Sequence, residues 1–326
     1  MQIAVIWNAR AGSAAGVTLD DVVQRLATIG VVTVHEVTDD HGPDACARAA
    51  IASGAELVVA AGGDGTVSSV AAVLVGGTAK LGVLPLGTSN SFAAALAIPD
   101  DVGGALDMIA AGNQRVIDAA VVRTAVAERV MVLHCMIGFH AQAISGTSTE
   151  AKRRWGVLAY AGSAIRELAT LTPFAVELET GGHVVRCRAT AVAAANLAPV
   201  KTVLAHGASH LLGDDGKVDV TIVAAETIAE AIATGIHLYR SARDGEAATR
   251  DNVGSFSVAR VAITAEPPQA VLVDGEPFGE TPVTIETLPA ALVVFAPPPE
   301  PADGPPVEAS LIGLPELEID GMRLTD

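Results

Sequence analysis

Aromatic side chains are scarce in this 326-residue chain, where Phe, Trp and Tyr together make up 3%. Single-stranded nucleic acid is commonly gripped by stacking its bases on such rings, so no stacking platform is expected. Positive charge is also short. Twenty Lys and Arg face 37 Asp and Glu, a formal net charge of −17. That balance repels phosphate backbones and disfavours anionic lipid headgroups held by charge alone. Nucleic acid is therefore not an expected partner. Only three cysteines occur, Cys46, Cys135 and Cys187, without CxxC spacing. They read as small core residues in a reducing compartment, not as a disulfide or zinc framework. No apolar run approaches the roughly 20 residues that span a bilayer, so no transmembrane segment is expected. Met1 to Trp7 is apolar but short and lacks a basic flank, and does not read as a signal peptide. The expectation is a cytoplasmic protein.

Other motifs are missing too. His134, His140, His206 and His210 fall at no recognised metal-ligand spacing. The serines near Gly146 lack a Gly-x-Ser-x-Gly setting, which argues against a serine hydrolase. The basic cluster Lys152-Arg153-Arg154-Trp155 reads first as a solvated loop, although a Trp beside long cations also suits a membrane surface.

What is present is a hydrophobic half of the chain, enough to build sizeable cores at about 100–200 residues per domain. The first third alternates two periodicities. Ile3 to Trp7 is an apolar run of strand length. Leu19, Val22, Val23, Leu26 and Ile29 recur at helical spacing, with Thr18 and Asp21 placed as a capping box. Residues 31–37 alternate as a strand, and 44–53 form a helical pattern. Residues 57–61 are a strand running into Gly62-Gly63-Asp64-Gly65-Thr66. A helix over 67–75 and a strand over 81–84 follow, then Pro85-Leu86-Gly87-Thr88. Strand–turn–helix repetition predicts an α/β domain whose parallel sheet is covered by helices.

From about Arg115 strands dominate, at 116–126, 129–137, 175–179, 184–194, 218–223, 257–264, 270–273, 283–287 and 291–295. Helical patterns are confined mainly to 156–171 and 227–241. A second, mostly antiparallel β-rich domain is predicted. The division is 1–122, 123–296, and a Pro-rich linker with an apolar tail over 297–326 that is expected to pack back on the body.

The glycine turn at 62–66 carries the chemistry. Glycines let a polyphosphate approach the backbone with no Cβ in the way, and amides at a helix start donate to phosphate oxygens. Asp64 offers a hard oxygen ligand that can bind or position Mg²⁺. A hydroxyl at Thr66 can reach the same phosphates. Gly-Gly-Asp-Gly alone is also good turn chemistry. Its placement between a strand and a helix, with a second Gly-Thr turn one strand later, favours the phosphate reading. It is neither a Walker A loop, having no Gly-Lys-Ser/Thr ending, nor a dinucleotide fingerprint, since Ser68 replaces the third glycine.

With Gly62–Thr66 and Pro85-Leu86-Gly87-Thr88-Ser89-Asn90 together, the chain resembles the diacylglycerol kinase-like lipid kinases, which include sphingosine and ceramide kinases. Asn8 to Gly12 resembles the family's Asn-Pro-x-Ser-Gly turn, with Ala9 in place of proline. Thr38 matches a threonine that contacts ATP. Gly138-Phe139-His140-Ala141 resembles a Gly-Phe-Asp-Ala segment. Asp215-Gly216-Lys217-Val218-Asp219-Val220 resembles Asp-Gly-x-Leu-Asp-Val, and Val273-Asp274-Gly275-Glu276 matches the late Asp-Gly-Glu motif.

The resemblance implies an ATP-dependent lipid kinase of NAD kinase/diacylglycerol kinase-like fold, with ATP in the cleft between domains. Asn8, Thr38, Gly62, Gly63, Gly65, Thr66 and Thr88 would bind nucleotide. Asp64 would be the essential aspartate of the glycine turn and Glu276 the general base. A structural Mg²⁺ would take the carboxylate of Asp215 with the main-chain carbonyls of Leu212 and Lys217. The partners expected are a lipid substrate, met by transient peripheral association with a membrane, and a second copy in a homodimer.

Departures bear on substrate. Ser68-Ser69 stand where the family often has Asn-Glu, and Ser91 and Ala94 stand where it has an aspartate and an arginine. His140, a substrate-side candidate, replaces an acidic residue. Diacylglycerol and a sphingoid or ceramide-type lipid both remain open as acceptors. NAD kinase shares the Gly-Gly-Asp-Gly-Thr turn and is the alternative enzyme. A catalytically diverged nucleotide- or lipid-binding module is the alternative without chemistry.

Overall fold

The computed structural model describes residues 1–11, 17–138, 172–198, 213–225, 230, 233–234, 237, 252–299, 310–311 and 313–323. The chain forms two compact units. Unit 1 comprises Met1–Ala119, Leu212–Asp215 and Leu288–Ala302, and unit 2 takes Ala120–Leu211, Gly216–Thr287 and Asp303–Asp326.

Unit 1 follows the alternating rhythm of its sequence. Its elements are β1 (Gln2–Trp7), α1 (Leu19–Leu26), β2 (Val31–Glu36), α2 (Pro43–Ala52), β3 (Leu57–Gly62), α3 (Asp64–Leu74), β4 (Lys80–Pro85), α4 (Ser91–Ala95) and α5 (Val102–Ala111). The strands are parallel in the order β4-β3-β1-β2. Every residue of β3 is buried, as expected for a central parallel strand covered on both faces. At the edge, β2 has no buried residue, and Val31 is 62% accessible. The Thr18 capping box forms as expected, its hydroxyl accepting from the Asp21 N–H and the Asp21 carboxylate accepting from the Thr18 N–H.

Helix α3 starts three residues earlier than its apolar periodicity suggests. Gly63 is its N-cap in extended conformation and Asp64 its first residue. The first turn of a helix leaves its N–H groups outside the helix's own bonding, so polar and small residues start it without an apolar signal. Helices α4 and α5 fall where the sequence pattern predicts no element. Gly103 and Gly104 in the first turn of α5 mask its periodicity, and the Asp101 side chain caps it through the Gly104 N–H at 2.8 Å.

Unit 2 is a β-sandwich. Its strands are β6 (Glu128–Met131), β7 (His134–Gly138), β8 (Phe174–Thr180), β9 (His183–Ala189), β10 (Ala191–Ala195), β11 (Val218–Val223), β12 (Val253–Val258), β13 (Arg260–Glu266), β14 (Ala270–Val273), β15 (Glu276–Glu280), β17 (Glu318–Ile319) and β18 (Met322–Arg323). Two longer strands, β5 (Gln114–Arg123) and β16 (Val283–Phe295), have residues in each unit. One antiparallel sheet runs β12-β11-β10-β7-β14-β15, and the other includes β18-β17-β9-β8-β13 with the first half of β16. Alternate residues from both inner faces, such as Val218, Val220 and Ile222 of β11 with Val261 and Ile263 of β13, share one core. That is the period-two pattern of a sheet buried on one side.

Three predicted strands prove to be two each. Residues 129–137 break at Val132-Leu133, whose N–H groups turn to the Asp274 carboxylate. Residues 184–194 break at Thr190, which bonds the Val223 carbonyl through both N–H and hydroxyl. Residues 257–264 break at Ala259, where the chain passes from one sheet to the other. The tail carries Leu314 and Leu317 into the core, with Leu311 and Ile319 packed against it. Arg186 pairs with Glu177 at 2.6 Å and Glu318 at 3.0 Å, and the Asp320 carboxylate accepts from the Val184 N–H at 2.9 Å. Among the described residues no helix is long and apolar enough to cross a membrane.

Candidate functional site

The loops that leave the carboxyl ends of the parallel strands carry four of the sequence features. Thr38 follows β2, Asn8 follows β1, Gly63 follows β3, and Gly87 with Thr88 follows β4. In open parallel sheets ligands settle there, where the strand order reverses. The chain runs from β1 to β2 on one side, then crosses to β3 on the other. The reversal therefore lies between Asn8 and Gly63.

Asn8 links the two loops at that point. Its N–H donates to the Ala61 carbonyl at 3.0 Å, and its side-chain amide donates to the Thr66 hydroxyl at 2.8 Å. Its amide oxygen accepts from the Arg10 N–H at 3.1 Å. One residue thus fixes both the turn after β1 and the first turn of α3.

The second turn is fastened to the first in two ways. Gly63 and Gly87 meet backbone to backbone, so that a Cβ on Gly87 would lie 2.6 Å from the Gly63 Cα. Asp64 then reaches across to α4, its carboxylate accepting from the Phe92 N–H at 3.1 Å. Main-chain N–H groups of Ser91 and Asn90 also stabilise its charge, yet burial outweighs all three and raises its pKa. Asn90 does not cap α4 itself. It sits in the left-handed region with φ 47°, and its side chain closes on Gly87, accepting from the N–H at 2.8 Å and donating to the carbonyl at 3.0 Å. The cap of α4 comes from a neighbouring helix.

Gly65 differs from its neighbours. It is exposed, and a Cβ there would meet no protein atom within 4 Å. Packing does not require a glycine at this position. Thr38 closes its own turn, its hydroxyl accepting from the His41 N–H at 3.1 Å, and Thr88 is exposed. Amides at a helix start and hydroxyls are donors of the kind that suit a phosphate, and a carboxylate beside them suits a cation carried with it.

Glu276 belongs to unit 2, as the exposed first residue of β15. Asp274 and Gly275 form the preceding two-residue turn, both with positive φ, 50° and 84°, as a type I′ hairpin requires. Asp274 accepts from the N–H groups of Val132 at 2.9 Å, Leu133 at 2.9 Å and His134 at 3.0 Å. Burial nevertheless pushes its pKa up to about 6. This anchoring role and the closure of Asn90 on Gly87 were not legible in the sequence. Their partners lie far along the chain, and only the left-handed demand of Asp-Gly and Asn positions hints at them.

The expected structural Mg²⁺ ligands lie on the loop before β11. Asp215 and Lys217 are exposed and flank Gly216, whose φ is 74°. Within unit 1 the Gly213 carbonyl accepts from the Asp118 N–H at 2.6 Å. Leu212 and His140 lie outside the described residues. Among the described residues no group of three or more His, Cys, Asp and Glu converges to hold a metal.

Two family models match the chain. Residues 2–122 match the diacylglycerol kinase catalytic domain, and residues 134–296 match the YegS C-terminal NAD kinase beta sandwich-like domain. An uncharacterized protein of Synechocystis sp. is 34% identical over 244 residues, 75% of this chain and 55% of that one. A protein of Salmonella typhimurium named "Probable lipid kinase YegS" is 34% identical over 129 residues, 38% of this chain and 42% of its own. The chain thus spans about half the length of these relatives. The crystal structure of a diacylglycerol kinase from Bacillus anthracis shares the fold, with a TM-score of 0.65 at 19% identity over 91% of this chain and 97% of that one. Catalytic-domain match, β-sandwich match and the switch-point turns agree in chain order, and the protein belongs to the diacylglycerol kinase family of the YegS kind.

Proposed function

We propose that the protein is a lipid kinase that transfers the γ-phosphoryl group of Mg-ATP to a hydroxyl of diacylglycerol or of a sphingoid or ceramide-type lipid. The observation that carries this reading is the assembly of three turns at the switch point of unit 1, joined by Asn8–Thr66, Gly63–Gly87 and Asp64–Phe92. Residues 1–122 serve as the nucleotide domain, 123–296 as the lipid-substrate domain and 297–326 as linker and tail. Asn8, Thr38, Gly62, Gly63, Gly65, Thr66 and Thr88 hold the nucleotide through amides and hydroxyls. Exposed Gly65 supports this, since a closely approaching phosphate explains a glycine that packing does not need.

Mg²⁺ fits this site as part of the nucleotide. It keeps few protein ligands and shares phosphate oxygens, and unit 1 offers the Asp64 carboxylate among phosphate-binding amides. When bound, Mg²⁺ neutralises charge on the transferring group. A separate structural Mg²⁺ at Leu212, Asp215 and Lys217 is part of the proposal, with Asp215 supplying its carboxylate. Glu276 takes the proton of the acceptor hydroxyl as it attacks, and His140 lies on the substrate side. The lipid is met at a membrane interface by a cytoplasmic protein that associates transiently, as a homodimer.

Incubation with γ-labelled ATP, Mg²⁺, mixed lipids and NAD tests the reading. Label in the organic extract supports it. Label in the dinucleotide instead makes the protein an NAD kinase. Nucleotide binding without label transfer makes it a diverged binding module.

A further inference from the structure

We propose that Arg129 acts as a positioning residue for Glu276, clamping a hairpin whose turn Asp274 anchors from the other side. The inference rests on the reading of Glu276 as the base. Glu276 begins β15 directly after a two-residue turn, and its side chain is exposed. A hairpin tip of this kind is held by few contacts of its own, whereas a base must meet the acceptor hydroxyl within hydrogen-bond reach. The segment from Arg129 to His134 supplies what the hairpin lacks.

On one side, Asp274 turns its carboxylate into the break between β6 and β7. It accepts three successive N–H groups, from Val132, Leu133 and His134 at 2.9–3.0 Å, and its own N–H donates to the His134 carbonyl at 2.9 Å. On the other side, half-buried Arg129 extends along β15. One guanidinium nitrogen approaches the carbonyls of Glu276 at 3.5 Å and Pro277 at 3.3 Å. The same group lies over the Phe278 ring, 5.0 Å from its centroid, a favourable cation–π arrangement. Its charge also faces the Asp274 carboxylate and favours the ionised form. Turn, first residue and following strand are therefore gripped by one stretch of six residues.

An arginine suits this place for a reason that lysine does not share. One of its nitrogens reaches the adjacent carbonyls while the planar face of the group lies on the Phe278 ring. Arg129→Lys keeps the charge and most of the stem but loses the planar stacking on Phe278. It separates positioning from mere electrostatics, and it stands in if Arg129→Ala does not fold.

The test uses the full chain, with Arg129→Ala, Arg129→Lys, Glu276→Gln and the Arg129→Ala/Glu276→Gln pair. Hydrogen exchange reports the hairpin at 274–280, and labelled ATP with mixed lipid vesicles reports turnover. We expect faster exchange at 274–280 in both Arg129 variants. We also expect kcat to fall about 10- to 100-fold, the scale of a small misplacement, with KM for ATP unchanged. In the Glu276→Gln background, loss of Arg129 should cost nothing further. Unchanged exchange, or an equal further loss in that background, overturns the clamp while leaving the base reading intact. Wild-type turnover of Glu276→Gln overturns the base reading, and the positioning role with it, whatever the Arg129 variants do.

Discussion

The Asp64 carboxylate accepts a hydrogen bond from the Phe92 N–H at 3.1 Å, so the first residue of one helix caps the amino end of another. The turns after β3 and β4 are thereby one object. Asp64→Ala should remove the cap and cost about 1–2 kcal/mol of stability. Asp64→Asn keeps an oxygen for Phe92 but loses the charge. It should melt within a few degrees of wild type while turnover nearly vanishes. Thermal melts beside a labelled-ATP assay check both, and wild-type turnover in Asp64→Asn would remove the charge from the mechanism.

Two glycines of the site should answer differently to the same change. A Cβ on Gly87 collides with Gly63 and with the Asn90 amide oxygen at 2.8 Å, so Gly87→Ala should lower both stability and nucleotide affinity. Gly65→Ala meets nothing in the protein. It should leave stability equal or raise it by up to about 1 kcal/mol, the usual helical gain, while nucleotide affinity falls at least tenfold. Calorimetric titration with Mg-ATP beside thermal melts separates the two. Normal affinity in Gly65→Ala would take the phosphates away from that turn.

Asp274 makes stability depend on pH in a direction opposite to a paired surface carboxylate. Its pKa is raised from the ordinary 3.8 to about 6 by burial, so between those values the folded chain holds more protons than the unfolded one. Stability from this group should fall as pH rises from about 4 to about 6, then level off, by on the order of 2–3 kcal/mol. Asp274→Asn should be less stable throughout, because its amide opposes one of three N–H donors, but should lose this slope. Urea melts at half-unit pH intervals compare the two.

Leu314 is 5% accessible and sits in the core of unit 2 with Leu317. Leu314→Ala should cost about 2–5 kcal/mol, as for other buried leucines. Exposed Met322, at 70% accessible, should tolerate Ala with little change. Denaturant titrations of both variants test whether the tail is part of the sandwich.

The α/β half was legible because strands of unit 1 end in turns whose residues have few alternatives. The Thr18 capping box and the strand leading into Gly62 could be read directly. In unit 2, β11 and β14 have the bounds their alternation suggested. Alternation continues smoothly through Thr190 and Ala259, however, so it cannot say where a chain leaves one sheet for the other. Turn chemistry showed that Asp274-Gly275 closes a hairpin. It could not show that the Asp274 carboxylate is spent on N–H groups about 140 positions earlier, because that bond exists only after the sandwich closes. Asp64 was visible as a carboxylate in a phosphate turn, but its duty as a cap depends on α4, whose five residues leave no periodic trace.

The contact between Gly63 and Gly87 has a further meaning for how this cradle can change. The gap between the two loops is set by hydrogen atoms where other residues carry carbon, so the cradle's width is fixed by what has been left out. Gly87 cannot accept even a methyl group unless the opposite loop retreats, whereas on Gly63 the same group would lie 3.2 Å from the Gly87 Cα and ask for only a small shift.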